Sequence, residues 1–316
     1  MKVLVTGGAG FIGSHLVQRL QARGDSVAIL DDFNDYYDPA LKRANVATGA
    51  RLVEGDIRDD SALERAFDPA PDAVIHLAAR AGVRPSLEQP DLYASVNIAG
   101  TFAVLEACRK RGVRKFVFAS SSSIYGDAEK VPFREDLADP RPVSPYGVTK
   151  QAGEQAVLLY HRLHGMRTSA LRFFTVYGPR QRPDMAIHKF ARLILEGREL
   201  TLFGDGSTRR DYTYVDDAVA GIEGALGRDD GFEVYNIGES RTVALSELVS
   251  LLEKNLGKTA KVKHLPEQPG DVKRTYADIS KARANLGYRP GTAIEDGIAR
   301  FSDWLRQTVN GERRTK

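Results

Sequence analysis

The sequence predicts an α/β fold: a doubly wound parallel sheet followed by a smaller mixed α/β lobe. Three observations carry that prediction. Strand and helix patterns alternate through the first half, a glycine-rich turn joins the first strand to the first helix, and the pattern loosens after about residue 178. Residues 3–6 form a short apolar run that reads as the first strand, and a helical pattern follows over 11–23. Strand-like runs recur at 26–30, 51–53, 73–76 and 115–119, with a helix over 92–111 between the last two. Residues 148–164 read as another helix and 168–173 as a sixth strand. Alternation of this kind places strands in parallel, with helices on both faces. The second half mixes short helices, short strands and turns such as Phe203-Gly204-Asp205-Gly206, without a repeat or a low-complexity linker. It is expected to pack on the first half rather than hang from it, giving a domain over 1–172 and an interleaved lobe over 173–316.

The turn Thr6-Gly7-Gly8-Ala9-Gly10-Phe11-Ile12-Gly13 holds glycines at the spacing GxxGxxG. A tight turn, a backbone open to a pyrophosphate and close helix–strand packing all call for glycine here. The helix start then offers free N–H groups to phosphate. Between a first strand and a first helix, this turn marks a Rossmann-type dinucleotide site. The second strand ends in Asp31-Asp32, acids that can accept hydrogen bonds from ribose hydroxyls and would repel a 2′-phosphate, so NAD is expected over NADP. Asp56 follows the third strand and is placed either to meet the adenine or simply to cap its loop.

Tyr146 and Lys150 stand at i and i+4 and share one face of a helix. A phenol titrates near ~10 and is a poor base at neutrality. A neighbouring ammonium and a cationic nicotinamide ring both favour phenolate, which can take a hydroxyl proton while hydrogen leaves the same carbon for NAD. The pair follows Ser120-Ser121-Ser122-Ser123 at the end of a predicted parallel strand, where ligands of open α/β sheets bind. A serine hydroxyl there can relay the proton.

Composition limits the alternatives. With 42% hydrophobic and 28% charged residues and a net charge of +3, the chain reads as a globular protein, and nothing calls for a nucleic-acid partner. The basic stretches at 109–115 and 313–316 read as a solvated helix end and a loose terminus. The single cysteine, Cys108, falls in an apolar stretch and reads as core filler. A strand starting at Lys2 leaves no room for a signal peptide and no apolar run reaches membrane-span length, so a cytoplasmic location is expected. No metal site is expected.

The motifs together resemble the extended short-chain dehydrogenase/reductase family, over essentially the whole chain. The carriers are TGGAGFIGSH at 6–15, HLAA at 76–79, SSSSIYG at 120–126, SPYGVTK at 144–150, LRFFTVYGPRQRPD at 171–184 and RRDYTYVDD at 209–217. Within the family the chain looks most like sugar-nucleotide 4-epimerases. The resemblance implies Tyr146 as base, Lys150 as its lysine and Ser121 as the catalytic Ser/Thr. It implies a cofactor site of Gly7, Gly10, Phe11, Ile12, Gly13, Asp31, Asp32, Asp56, Ile57, Leu77, Ala78 and Ala79. It adds Asn97 to steady the lysine and Phe174 beside the nicotinamide. It places Arg210 at the nucleotide diphosphate and Asp271 near the UDP ribose, with Gln268 a further substrate-binding candidate. It also implies a homodimer built from helices near 97–111 and 152–164, where Ala152, Ala156, Leu159 and Leu163 form a stripe that packing on the chain's own sheet would explain equally well.

The 4,6-dehydratases carry an acid pair after the catalytic Ser/Thr, and UDP-glucuronate decarboxylases an acid in the same stretch. Here Ser122 and Ser123 occupy those positions, leaving elimination without a proton donor. The chain departs from the UDP-galactose 4-epimerase pattern at Thr175, at 268–271 and at Thr275, where a small residue replaces a bulky one. The stretches AGVRPS at 81–86 and GPRQRPDMA at 178–186 look similar to UDP-glucuronate 4-epimerases. A uronate carboxylate needs hydroxyl or guanidinium donors. Thr175, Ser122, Ser123, Arg84 and Arg182 are the candidates, although the two arginines would equally serve the diphosphate or salt bridges. The expected reaction is C4 epimerisation of UDP-glucuronate through a 4-keto intermediate with tightly held NAD. The rivals are a UDP-glucose/UDP-galactose or N-acetylhexosamine epimerase, a decarboxylase, a carbonyl reductase releasing NADH, and a silent NAD-binding sensor.

Overall fold

The structure is a computed structural model describing all residues except 129, 138, 230, 267–273 and 315–316. In chain order its elements are β1 (Lys2–Thr6), α1 (Phe11–Ala22), β2 (Ser26–Asp31), α2 (Pro39–Ala44), β3 (Arg51–Glu54), α3 (Asp60–Ala66), β4 (Ala73–His76), α4 (Val83–Glu88), α5 (Pro90–Tyr93), a π-helical turn (Ala94–Ala99), α6 (Gly100–Lys110) and β5 (Lys115–Ser121). A 3₁₀ turn (Ser122–Tyr125), α7 (Pro145–His164), β6 (Arg167–Phe173), β7 (Thr175–Tyr177), α8 (Ala186–Glu196), β8 (Glu199–Phe203), β9 (Arg209–Tyr214) and α9 (Val215–Gly227) follow. The chain then runs through β10 (Phe232–Ile237), β11 (Thr242–Ala244), α10 (Leu245–Leu256), β12 (Lys261–Leu265), α11 (Ser280–Leu286) and α12 (Ile294–Arg314).

The main sheet has seven strands in the order β10-β6-β5-β4-β1-β2-β3, every pair parallel. Successive residues feed opposite faces. Val3, Val5, Ile29 and Ile75 pack toward α1 and α9, while Leu4, Leu30, Val74 and Phe116 pack toward α3, α6 and α7. Cys108 is fully buried in the second cluster, where burial pushes its thiol up. Two smaller sheets, β11-β9-β7 and β12-β8, build the second lobe.

The predicted elements shift in four places. The sheet gains a seventh strand, β10, from the second half, because Phe232–Ile237 pairs in register with Thr168–Phe173. The expected helix over 92–111 is interrupted by the π-helical turn, which carries Asn97. The helix expected over 148–164 starts earlier, at Pro145: the Ser144 hydroxyl accepts from Gly147 N at 3.1 Å and Pro145 sits in the first turn. Strand β5 runs on to Ser121, so Ser120 and Ser121 are strand residues.

Helix α7 is locked to the sheet by a buried ion pair. Arg172 donates from Nε and Nη2 to Glu154 at 2.9 and 2.8 Å, and the Ser120 hydroxyl donates to the same carboxylate at 2.6 Å. Removing one partner of such a pair costs about 3–5 kcal/mol, because the other charge is left buried. The pair fixes the turn of α7 that follows Lys150 against β5 and β6.

Candidate active site

A cavity of about 390 Å³ lies at the carboxyl ends of the main-sheet strands. Gly7 has φ +70, and a Cβ added there would stand 2.7 Å from Ala78 N. A Cβ at Gly13 would run into the Gly7 carbonyl. The turn, the loop after β4 and the start of α1 therefore close together only with glycine at these positions. The N-cap of α1, Gly10, makes no side-chain cap, and the first turn holds no acid. The helix start thus presents its N–H groups and positive dipole end to the cavity, which fits a pyrophosphate. Gly7, Gly10, Phe11, Ile12 and Gly13 all line it.

Asp31 and Asp32 line the cavity at the end of β2. The Asp31 carboxylate accepts from Ala9 N and Phe33 N, each at 3.1 Å, and burial raises its pKa. Asp32 accepts from the backbone and side-chain nitrogens of Asn34. Asp56 and Ile57 also line the cavity. Asp56 caps its own loop, accepting from Arg58 N at 2.8 Å, and the Arg58 guanidinium holds it below the usual carboxylate range. Leu77, Ala78 and Ala79 line the cavity after β4. Beneath them His76 bridges the Thr6 and Thr101 hydroxyls at 2.7 and 3.1 Å, and burial holds it neutral, with a pKa of about 3.

At the β5–β6 end the cavity gathers Ser121, Ser122, Ser123, Tyr146, Lys150, Phe174, Thr175 and Arg182. Ser121 accepts from Ser123 N at 3.1 Å, which seats its hydroxyl at the start of the 3₁₀ turn. The Tyr93 ring stands edge-on to the Tyr146 ring at 6.3 Å between centroids. Lys150 Nζ donates to Ala119 O at 2.7 Å and lies 5.9 Å from the Tyr146 ring centroid; burial lowers its pKa to about 7. Burial raises Tyr146, and the lowering influences are hydrogen bonding by Ser121 and then the charge of Arg182. Arg182 thus joins Lys150 as a cationic side chain close to the phenol.

Several expected site residues stand outside the cavity lining or make other contacts. Asn97 makes no hydrogen bond to Lys150. It accepts from Arg80 N at 2.8 Å and donates to Arg80 O and the Thr149 hydroxyl at 2.9 and 3.0 Å, so it reaches the catalytic helix one residue earlier. Arg84 turns its guanidinium over the Phe203 ring, 5.3 Å from the centroid, and does not line the cavity. Arg210 also lies outside the lining, donating to Arg209 O at 3.1 Å. Arg182 lines the cavity but is held bidentate by Asp184, with both bonds at 2.9 Å. The Thr275 hydroxyl accepts from Asp211 N in the second lobe rather than bordering the cavity. Gln268 and Asp271 lie outside the described residues.

The sequence reading passed over Tyr36, Tyr37, Lys42, Arg80 and Tyr93. The first four line the cavity, and Tyr93 contacts Tyr146 from behind. The signal for two of them was present: aromatics at 36 and 37 sit directly after the acidic end of β2. Among the described residues no cluster of three or more His, Cys, Asp or Glu could hold a metal ion, and no helix is long and apolar enough to cross a membrane.

A family model described as the NAD dependent epimerase/dehydratase family matches residues 3–238. The chain belongs to this family. It is 44% identical over 333 residues to UDP-glucuronate 4-epimerase 3 of Arabidopsis thaliana, covering 98% of this chain and 77% of that protein. Among solved structures it resembles UDP-glucuronic acid 4-epimerase from Bacillus cereus in complex with UDP-glucuronic acid and NAD. That match has a TM-score of 0.91 and 41% identity, covering 98% of this chain and 100% of the other. It also resembles the UDP-glucose 4-epimerase of Thermotoga maritima with UDP-glucose, with the same TM-score of 0.91, 36% identity and the same coverages. The backbone therefore does not separate acidic from neutral sugars, and side chains must.

Proposed function

We propose that the protein is an NAD-dependent UDP-sugar 4-epimerase that interconverts UDP-glucuronate and UDP-galacturonate. The observation that carries this reading is the make-up of the sugar end of the cavity. Tyr146 and Lys150 stand there beside Ser121, with hydroxyls from Ser122, Ser123 and Thr175, while the acids lining the cavity, Asp31, Asp32 and Asp56, lie at the β2–β3 end. An oxidisable carbinol finds its base there, a carboxylate finds neutral donors, and elimination finds no acid.

NAD fits the uncapped helix start and the glycine turn. Gly7, Gly10, Phe11, Ile12 and Gly13 would hold its pyrophosphate, Asp31 and Asp32 the adenosine ribose, Asp56 and Ile57 the adenine. Leu77, Ala78, Ala79, Phe174, Tyr146 and Lys150 would border the nicotinamide end. Bound NAD supplies the acceptor and, on return, the donor of the C4 hydrogen. Tyr146 takes the O4 proton, with Ser121 as relay, and returns it after the sugar has turned its other face. Lys150, tied to Ala119 O, orients the nicotinamide ribose. The 4-keto uronate is a β-keto acid prone to lose CO₂; hydroxyls from Ser122, Ser123 and Thr175 hold its carboxylate, and the Arg182 guanidinium at this end is paired with Asp184. The UDP moiety would be met by the second lobe, including the 268–271 stretch.

The likeness to relatives named UDP-glucuronate 4-epimerase supports the acidic sugar; the equal backbone likeness to a UDP-glucose 4-epimerase supports the neutral one as the second reading. Proton NMR of purified protein with UDP-glucuronate and UDP-glucose in parallel separates them. Formation of UDP-galacturonate, with UDP-galactose at least about ten-fold slower, is expected for a pocket built around a carboxylate. Preferred turnover of UDP-glucose would overturn the acidic-sugar assignment.

We also propose that the protein works as a cytoplasmic homodimer. Phe102 on α6 and Val148, Leu159 and Leu163 on α7 are exposed apolar side chains, at 38, 50, 42 and 64%. They lie on two helices that pack side by side, a face suited to a second copy.

A further inference from the structure

Three loops meet over the Tyr146 end of the cavity. Arg182, in the segment before α8, donates from Nε and Nη2 to the two oxygens of Asp184. Tyr36, in the loop after β2, donates its hydroxyl to Asp184 Oδ2 at 3.2 Å, and the Arg182 guanidinium lies 5.4 Å from the Tyr36 ring centroid. The loop after β4 closes on the same spot: a Cβ added at Gly82 would stand 2.8 Å from the Tyr36 hydroxyl. The bidentate pair occupies one edge of the guanidinium and leaves its remaining N–H groups for the cavity that Arg182 lines.

We propose that Asp184 is a positioning residue for the epimerisation: with Tyr36 it fixes the Arg182 guanidinium at the sugar end of the cavity and offsets its charge. This rests on the epimerase reading above. The offset matters twice. Arg182 lines the same cavity as Tyr146, where its positive charge favours the phenolate. The groups facing Tyr146 are Lys150 on its own helix, Ser121 on β5, Tyr93 on α5, Tyr36 after β2, and the Arg182–Asp184 pair. An uncompensated cation there would also act on the 4-keto oxygen. Decarboxylation of a 4-keto uronate breaks C5–C6, releases CO₂ and leaves the electron pair in a C4–C5 enolate that later takes a proton at C5. A full positive charge beside O4 stabilises that enolate and speeds the loss. Asp184 thus keeps the cation near enough to assist Tyr146 and weak enough to spare the C5–C6 bond.

The test compares holoenzyme variants Asp184→Asn and Arg182→Gln by the pH profile of kcat and by CO₂ released per epimerisation of UDP-glucuronate. Asp184→Asn is expected to move the acid limb of kcat to lower pH by about half to one unit, the size of a charge acting from beyond direct contact. It is also expected to raise the CO₂ ratio on the order of ten-fold. Arg182→Gln should move the limb the opposite way without raising the ratio, and Asp184→Glu should restore both readouts. A purely structural role would lower kcat in both variants with the limbs unmoved, and that result, or limbs moving together, overturns the proposal. Should Asp184→Asn fail to retain NAD and a cooperative unfolding transition, Asp184→Ser replaces it. If the wild type turns over only UDP-glucose, the substrate reading has failed, and the opposed limb shifts, measured with that sugar, still decide the role of Asp184.

Discussion

Tyr146 can act as a base only if the cost of burying its phenolate is met by its neighbours. Burial raises its pKa, and Ser121 and Arg182 lower it. Replacing Tyr146 with Phe keeps the ring that packs against Tyr93 and removes only the hydroxyl. The variant is expected to fold, to retain NAD and to lose about 10²- to 10⁴-fold in kcat, measured by NMR turnover and by absorbance of the bound cofactor. Near-normal turnover in folded protein would remove Tyr146 from the mechanism. Spacing alone put Tyr146 and Lys150 on one helix face and the glycines at a strand–helix turn, because both are local backbone periodicities. It could not say where long side chains end. Arg84 finds an aromatic ring on β8, and Arg182 finds a carboxylate two residues on. Asn97, carried on the π-helical turn, hydrogen-bonds the neighbour of the lysine.

At the scale of elements, the β/α alternation of the first half was legible because each unit carries its own hydrophobic period. The start of α7 at Pro145 was legible in principle from Ser144 and Pro145, a cap signal that the apolar pattern hid. Strand β10 was not, since Phe232–Ile237 looks like any short apolar run until Arg167–Phe173 offers it an edge. The helices α6 and α7 carry a consequence of their own. Ala156 of the predicted stripe is buried against the chain's own sheet, whereas Leu159 and Leu163 are exposed. Part of the stripe is thus core and part is exposed, where the proposed dimer would place its second copy. Light scattering is expected to give twice the chain mass, and Leu159→Glu with Leu163→Glu a folded monomer, as charges on both sides of a two-fold interface repel. A wild-type monomer at all concentrations would contradict the dimer.

At the scale of the whole molecule the two halves share their polar interior as well as their sheet. Tyr125 donates to Asn236 Oδ1 at 2.7 Å, and Asn236 Nδ2 donates to Phe133 O and Asp278 O at 2.9 and 3.1 Å. The catalytic end of β5 is thereby tied to β10 and to the chain before α11, so the second half meets the cavity from a fixed position. Such a site can hold a cofactor through many turnovers while the sugar rotates within it. On the proposed mechanism C4 loses its hydrogen from one face and, after the sugar has rotated, regains it on the opposite face from the same bound NAD, with Tyr146 moving only the hydroxyl proton. Epimerisation of UDP-glucuronate in D₂O, followed by NMR, tests it most directly. The account predicts UDP-galacturonate that keeps its C4 hydrogen, carries no solvent deuterium at C4 or C5, and forms without CO₂; deuterium at either carbon would contradict it.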